Sequence, residues 1–317
     1  MTPENNDEKY MRLAMALARK GLGRTSPNPV VGAVVVRGNK VVGRGFHHRA
    51  GGPHAEVLAL RQAGKKSKGA TLYLNLEPCN HFGRTPPCTR SIVDSGIRRV
   101  VAGMKDPNPL VAGKGFAFLR RQGIRVDVGV LGAECRELNA PFEKFITTGM
   151  PFVTLKSAVS LDGKAGTRSG ESRWVSCPDS RAYVHRLRSR ADAVMVGINT
   201  VLKDDPMLNV RIPGEENRRQ PLRVIVDSRL RLPPACKLVT TARAIPTLVA
   251  TTAAAPPSQV ERLKRSGVEV VAAKKAAGGS VSLRALMKEL GRRGIISVLM
   301  EAGPGLAAGA LREKIVD

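Results

Sequence analysis

A chain of 317 residues, 42% hydrophobic and 25% charged, is long enough for two globular domains with buried cores, and no apolar run approaches the roughly 20 residues of a membrane span. Its net charge of +26 invites a nucleic-acid reading, yet the surplus is even: 24 basic against 11 acidic residues in 1–150, and 28 against 15 in the remainder. Without a basic tail, and with seven Phe, three Tyr and one Trp to stack on bases, nucleic-acid binding is disfavoured; a solvated, arginine-rich surface that attracts phosphorylated anionic substrates fits better.

The first residues, Met1-Thr2-Pro3-Glu4-Asn5-Asn6-Asp7-Glu8, are acidic and polar, unlike a secretory signal, so cytoplasm is the expected location. Apolar residues at helical spacing predict a helix over 8–20, stopping before Gly21. Segments 30–36 and 40–42 flank Gly38-Asn39 and predict a hairpin. A helix over 53–63 and a strand over 71–76 follow, then a loop, a helix over 88–95, a strand over 99–102, a helix over 115–122 and a strand over 125–128. Near 150 the pattern restarts. After the linker Thr147-Thr148-Gly149-Met150 come a strand over 151–156, a helix over 178–189, and strands over 193–196, 222–226, 247–250 and 268–272. A helix over 282–291, a strand over 297–301 and a helix over 306–313 complete the series. Strands alternating with helices predict α/β layers throughout, divided into domains 1–149 and 150–317.

Five cysteines, Cys79, Cys88, Cys135, Cys177 and Cys236, are too few and too unevenly spaced for a disulfide framework. His54-Ala55-Glu56 opens a predicted helix, Pro78-Cys79 closes a strand and Cys88 opens another helix. One imidazole and two thiolates make three ligands and leave the fourth tetrahedral position to water, the count of a catalytic zinc site. The positive end of a helix favours thiolate at Cys88. Zinc lowers the pKa of its water so that hydroxide is available near neutral pH, and Glu56, itself no ligand, is placed to move the proton. Taken singly, a His-x-Glu is incidental and two cysteines are core residues. In this order, beside prolines, they predict one zinc per chain. His81, inside the cysteine loop, is a rival ligand to a set already complete.

Thr25-Ser26-Pro27-Asn28-Pro29-Val30-Val31-Gly32, His54-Ala55-Glu56, the segment from Glu77-Pro78-Cys79 to Pro87-Cys88, and Asp106-Pro107-Asn108-Pro109 together resemble the bifunctional deaminase-reductases of riboflavin biosynthesis. Most cytidine and tRNA-adenosine deaminases have two residues between the cysteines, whereas eight stand here. The resemblance implies an N-terminal cytidine-deaminase-like α/β/α layered domain and a C-terminal dihydrofolate-reductase-like α/β domain. The implied reactions are hydrolytic deamination of a diaminopyrimidinone phosphoribosylamine with zinc-bound hydroxide, then NADPH reduction of the ribosyl side chain to ribityl. It also implies that Asn28, His47, Glu56, Arg84, Asp106 and Asn108 line the deaminase pocket, where Arg84 can meet phosphate bidentately. Asn28 and Asn108, each between prolines, suit turns equally well.

The second half carries the same resemblance in Lys156-Ser157-Ala158-Val159-Ser160-Leu161-Asp162-Gly163-Lys164, Gly170-Glu171-Ser172-Arg173-Trp174-Val175-Ser176, Arg188, Asp192-Ala193-Val194-Met195-Val196-Gly197, the run from Asp204-Asp205-Pro206 to Arg211, and Glu301-Ala302-Gly303-Pro304-Gly305. It implies NADPH contacts at Ala158, Trp174, Thr200, Asp204, Ser228 and Gly303, and substrate contacts at Ser172, Arg188, Leu208, Arg211 and Glu301. Gly303-Pro304-Gly305 after a strand offers backbone N–H groups to a diphosphate, although a plain strand-to-helix turn reads the same. Trp174, the chain's one tryptophan, suits core packing equally, and no proton donor for the reduction stands out. A nucleic-acid-editing deaminase and a non-catalytic zinc-stapled module are the alternatives; the first leaves residues 150–317 unexplained and the second has no use for Glu56. A homo-oligomer is compatible with the sequence. Chains of the resembling family continue beyond the point reached by Ile315-Val316-Asp317, which reads as the entrance to a strand, so a truncated form with an incomplete reductase half is expected.

Overall fold

The computed structural model describes residues 6–80, 87–168, 175–215 and 218–317. Two compact units, Met1–Thr148 and Gly149–Asp317, divide the chain. The first contains α1 (Asn6–Arg19), β1 (Gly32–Arg37), β2 (Lys40–Phe46), α2 (Ala55–Ala63), a 3-10 turn (Gly64–Ser67), β3 (Thr71–Leu74), α3 (Cys88–Asp94), β4 (Arg99–Ala102), α4 (Lys114–Arg121), β5 (Arg125–Val128), α5 (Gly132–Leu138) and α6 (Ala140–Thr148). Its sheet runs β2-β1-β3-β4-β5; β1 is antiparallel to β2 and β3, while β3, β4 and β5 are parallel.

Alternation along β1 explains the layers. Ala33 and Val35 join one core with Ala55 and Ala59 of α2, Ile92 of α3 and Leu119 of α4. Val34 and Val36 join another with Met11 and Met15 of α1 and Cys135 of α5. A sheet covered on both faces needs apolar residues at successive positions, which is why Val34, Val35, Leu72 and Leu74 are fully buried. Each such side chain contributes about 1.5–3 kcal/mol on burial. Close contact sets the site-bearing helix: a Cβ on Gly45 of β2 would meet the Ala55 carbonyl at 2.3 Å, so only glycine lets α2 begin this near the strand.

The second unit contains β6 (Phe152–Lys156), α7 (Pro178–Arg190), β7 (Ala193–Gly197), α8 (Ile198–Asp204), β8 (Leu222–Val226), α9 (Lys237–Thr240), β9 (Thr247–Thr251), α10 (Pro257–Arg265), β10 (Glu269–Ala272), α11 (Leu283–Arg292), β11 (Ser297–Glu301) and α12 (Pro304–Arg312). All six strands are parallel, in the order β10-β9-β8-β7-β11-β6. Val194, Ile225 and Val249 pack with Leu238 of α9 and Leu263 of α10 on one face. Met195, Val224 and Val298 pack with Leu286 and Leu290 of α11 on the other. Arg223, near the start of β8, is fully buried among neutral oxygen acceptors. The hydroxyls of Thr241 and Thr247 and the carbonyls of Met207, Leu238 and Ile245 accept its hydrogen bonds, so the burial cost is offset by complete pairing.

Several expectations are corrected. Val30 and Val31 lie outside β1, because the backbone of Val30 bonds to the buried Asn75 and Asn139 side chains rather than to a strand. Strand β2 runs on to Phe46, β3 stops at Leu74, and helices α5, α6, α8, α9 and α10 were not anticipated. Asp317 exchanges two hydrogen bonds with Val153 of β6, through its own N–H and its carboxylate. Among the described residues, no helix is long and apolar enough to cross a membrane.

Candidate active sites

The fold brings the three metal candidates together from separate elements. His54 is the N-cap of α2, Cys79 follows β3 and Cys88 begins α3. Their ligand atoms all lie within 4.8 Å of one another, with Nδ1 of His54 3.0 Å from the Cys88 sulfur and 3.6 Å from that of Cys79. An imidazole nitrogen and two soft sulfurs at this spacing are a donor set that suits zinc and leaves a coordination position open. The backbone N–H of Cys88 also points at the Cys79 sulfur, 3.5 Å away. A hydrogen bond with the Cys88 thiol holds Cys79 well below the usual thiol range, and the same contact, with burial, holds Cys88 above it. Cys135, Cys177 and Cys236 stand outside this cluster, and His81 lies outside the described residues.

Glu56, in the first turn of α2, is 4% exposed, and burial pushes its carboxyl up to about 6. It shares with His54 and Cys79 a cavity of about 460 Å³. Asn28, His47, Asp106 and Asn108 line the same cavity. Placement follows from topology: Cys79 and Asp106 come after the carboxyl ends of the neighbouring parallel strands β3 and β4, where ligands of α/β sheets bind. His47 lies 3.1 Å from the Pro53 carbonyl through Nδ1 and 3.1 Å from Asn28 Nδ2 through Nε2. Pro53 can only accept, so Nδ1 donates and Nε2 accepts from the amide of Asn28. Burial lowers the pKa of His47, which favours this neutral form. Arg84 lies outside the described residues.

Sequence reasoning missed the cavity's apolar wall. Phe142, Phe145 and Ile146 of α6 line it together with Val111. An aromatic-rich helix at that point gives no motif, and only the fold places it over the site. Asn75 and Asn139 were missed too. Asn75 is fully buried and Asn139 nearly so, and they clamp both backbone groups of Val30, two residues after Asn28.

In the second unit, four of the expected cofactor positions follow the carboxyl ends of four adjacent strands: Ser228 after β8, Thr200 after β7, Gly303 after β11 and Ala158 after β6. Gly303 is the N-cap of α12, with Pro304 and Gly305 in its first turn, and a Cβ on Gly303 would come 3.8 Å from the Thr200 hydroxyl. Asp204 ends α8. Arg188 of α7 makes a two-pronged ion pair with Glu301 at the end of β11, at 2.5 and 2.9 Å, and donates to the Asn209 carbonyl. Arg211 is exposed, and its guanidinium donates to the Asn209 side chain. Leu208 packs its side chain into the core and holds a left-handed backbone at φ 50°. Ser172 and Trp174 lie outside the described residues.

Comparison with known proteins bears on both halves. Residues 4–104 match the cytidine and deoxycytidylate deaminase zinc-binding region, and residues 151–317 match the RibD C-terminal domain. The riboflavin biosynthesis protein RibD of Aquifex aeolicus is 49% identical over 311 residues, covering 98% of this chain and 85% of the relative. That of Escherichia coli is 42% identical, with the same two coverages. Among solved structures, Acinetobacter baumannii RibD superposes with a TM-score of 0.86 at 41% identity, over 98% of this chain and 84% of the other. A diaminohydroxyphosphoribosylaminopyrimidine deaminase/5-amino-6-(5-phosphoribosylamino)uracil reductase from Thermotoga maritima gives 0.85 at 39% identity, over 97% and 84%. The chain belongs to the RibD family of bifunctional riboflavin-biosynthesis enzymes, a deaminase and a reductase on one polypeptide that take zinc and NADPH.

Proposed function

We propose that residues 1–149 deaminate a diaminopyrimidinone carrying a phosphoribosylamine, the substrate class named for the Thermotoga relative, and that residues 150–317 reduce the deaminated product. One observation carries this reading: a buried carboxylate, Glu56, shares a cavity with His54 and Cys79 of the His, Cys, Cys donor set. His54, Cys79 and Cys88 hold one zinc, which when bound supplies Lewis-acid activation of water. Glu56 removes a proton from the attacking water and returns it to the departing amine. Burial raises this carboxyl above the ordinary glutamate range, which suits a group that both takes up and returns a proton. Asn28, oriented by His47, and Asp106 and Asn108 read the polar edges of the ring, while Phe145 and Ile146 cover its face. Arg84 is assigned to the substrate phosphate.

In the second half, NADPH supplies the hydride when bound. Ala158, Thr200, Asp204, Ser228 and the Gly303-Pro304-Gly305 turn hold it at the carboxyl rim of the sheet; Trp174 is assigned to the same cofactor. Arg188, Arg211, Glu301, Ser172 and Leu208 orient the substrate, the two arginines suiting its phosphate. Cytoplasm remains the proposed location. Glu56→Gln tests the proton role. That variant is expected to keep zinc, lose ammonia release and still reduce the deaminated product when it is supplied; retained ammonia release would remove Glu56 from the mechanism.

A further inference from the structure

We propose that Glu77 is a positioning residue for deamination, setting the 106–113 loop that carries Asp106 and Asn108 against the substrate cavity. The proposal rests on reading that cavity as the deaminase site. Glu77 is 4% exposed, and both of its carboxylate oxygens are taken by backbone donors. Oε2 accepts from the N–H of Asp106 at 3.1 Å and from that of Gly113 at 2.8 Å, so one oxygen closes the loop at both ends. Oε1 accepts from Gly115 at 2.9 Å and Phe116 at 3.3 Å, in the first turn of α4. The backbone N–H of Glu77 donates to the Met104 carbonyl at 3.0 Å, so residue and loop are tied along the main chain as well.

The surroundings are built for this contact. A Cβ on Gly115 would meet the Pro78 carbonyl at 2.2 Å and Oε1 of Glu77 at 3.2 Å, so glycine is what lets α4 start against the Glu77-Pro78-Cys79 segment. Within the loop, Asp106 accepts from the N–H of Asn108 at 2.8 Å, and Asn108 accepts from that of Leu110 at 3.0 Å. The two pocket side chains therefore inherit their orientation from a backbone whose ends Glu77 fixes. Because Glu77 stands two residues before the ligand Cys79, one short segment registers the substrate loop to the metal centre. A carboxylate is required for four donors. The amide of a glutamine has one accepting oxygen, and its NH₂ would confront either the Asp106–Gly113 pair or the Gly115–Phe116 pair of N–H groups.

The test compares Glu77→Gln, Asp106→Asn and Asn108→Ala for deamination kinetics, zinc content and reduction of supplied deaminated product. For Glu77→Gln, KM for deamination is expected to rise about tenfold or more with kcat changed less than about threefold. Zinc content and reductase activity should stay at wild-type level, a split that general loss of structure would not give. Wild-type KM in Glu77→Gln, or parallel loss of kcat and zinc at unchanged KM, overturns the proposal. Wild-type KM in both Asp106→Asn and Asn108→Ala would instead remove the cavity reading, and the proposal with it. Should Glu77→Gln fail to fold, hydrogen exchange on the wild-type chain decides. The amides of Asp106, Gly113 and Gly115 should then exchange as slowly as those of β4, and exchange at loop-like rates overturns the proposal.

Discussion

Arg188 and Glu301, 113 residues apart in sequence, meet in a two-pronged ion pair whose side chains are 13% and 12% exposed. Two hydrogen bonds fix the guanidinium plane, and a third from the same group reaches the Asn209 carbonyl beside Leu208 and Val210. Removing one partner leaves a nearly buried charge unpaired, at a cost of about 3–5 kcal/mol. Arg188→Lys keeps the charge and loses the fork. We expect it to raise KM for reduction about tenfold or more, while deamination by the same preparation is unchanged. Steady-state kinetics of the two half-reactions measure both, and wild-type reduction in Arg188→Lys would remove the residue from the substrate site.

The apolar wall gives a second prediction. Phe145 is half-buried on the cavity side of α6, and truncation to alanine removes contact area from the ring face of the substrate. Loss of about 1–2 kcal/mol of apolar contact corresponds to a KM increase of roughly 5–30-fold for deamination. Zinc content should not move, since Phe145 is no part of the donor set. An unchanged KM would place the substrate away from α6.

Acid stability should report the Asp7 and Arg99 pair. Hydrogen bonds from the Arg99 guanidinium, at 2.9 and 2.7 Å, are the largest cause holding the Asp7 carboxyl below its usual 3.8, with a further bond from the Tyr73 hydroxyl. A depressed carboxylate stabilises the fold above its unfolded pKa, and that contribution disappears as pH falls through the lower folded value. Asp7→Asn should therefore be less stable than wild type by about 1–3 kcal/mol near neutrality. The two denaturation midpoints should converge as pH falls below the lowered range of the Asp7 carboxyl. Midpoints that stay equally far apart at every pH would show that the pair is not the source.

Of the five cysteines, Cys79 and Cys88 alone are predicted to matter for metal content. Alanine at Cys135, Cys177 and Cys236 together should leave zinc stoichiometry unchanged by elemental analysis, because none of the three lies in the donor cluster. Cys135 is fully buried against the sheet, so the triple variant should lose about 1 kcal/mol or so of stability. Chelation should abolish deamination and spare reduction of supplied product. Zinc loss in the triple variant would mean that the donor set is wrong.

Much of this was legible in the residues. His54, Glu56, Cys79 and Cys88 are recognisable because metal chemistry restricts residue type and because helix starts and strand ends fix their spacing. Strands such as β4, β5, β8 and β11 were legible end to end, since short apolar runs between turn residues have few alternatives. Helices α5 and α6 were not, because Gly132 and Pro141 in their first turns look like loop punctuation until tertiary packing on Cys135 and Phe142 is seen. Glu77, Asn75 and Asn139 escaped for another reason. Their partners are backbone groups up to 109 residues away, and backbone groups leave no signature in sequence.

The most direct test of the account follows ammonia and NADPH together, with the zinc-loaded chain and the diaminopyrimidinone phosphoribosylamine. Without NADPH, stoichiometric ammonia release and accumulation of the uracil product are expected. Adding NADPH should then consume the cofactor in proportion to that product, and Glu56→Gln should do neither unless the deaminated product is supplied. NADPH oxidation by Glu56→Gln on the undeaminated substrate, or no ammonia from the zinc-loaded wild type, would contradict it.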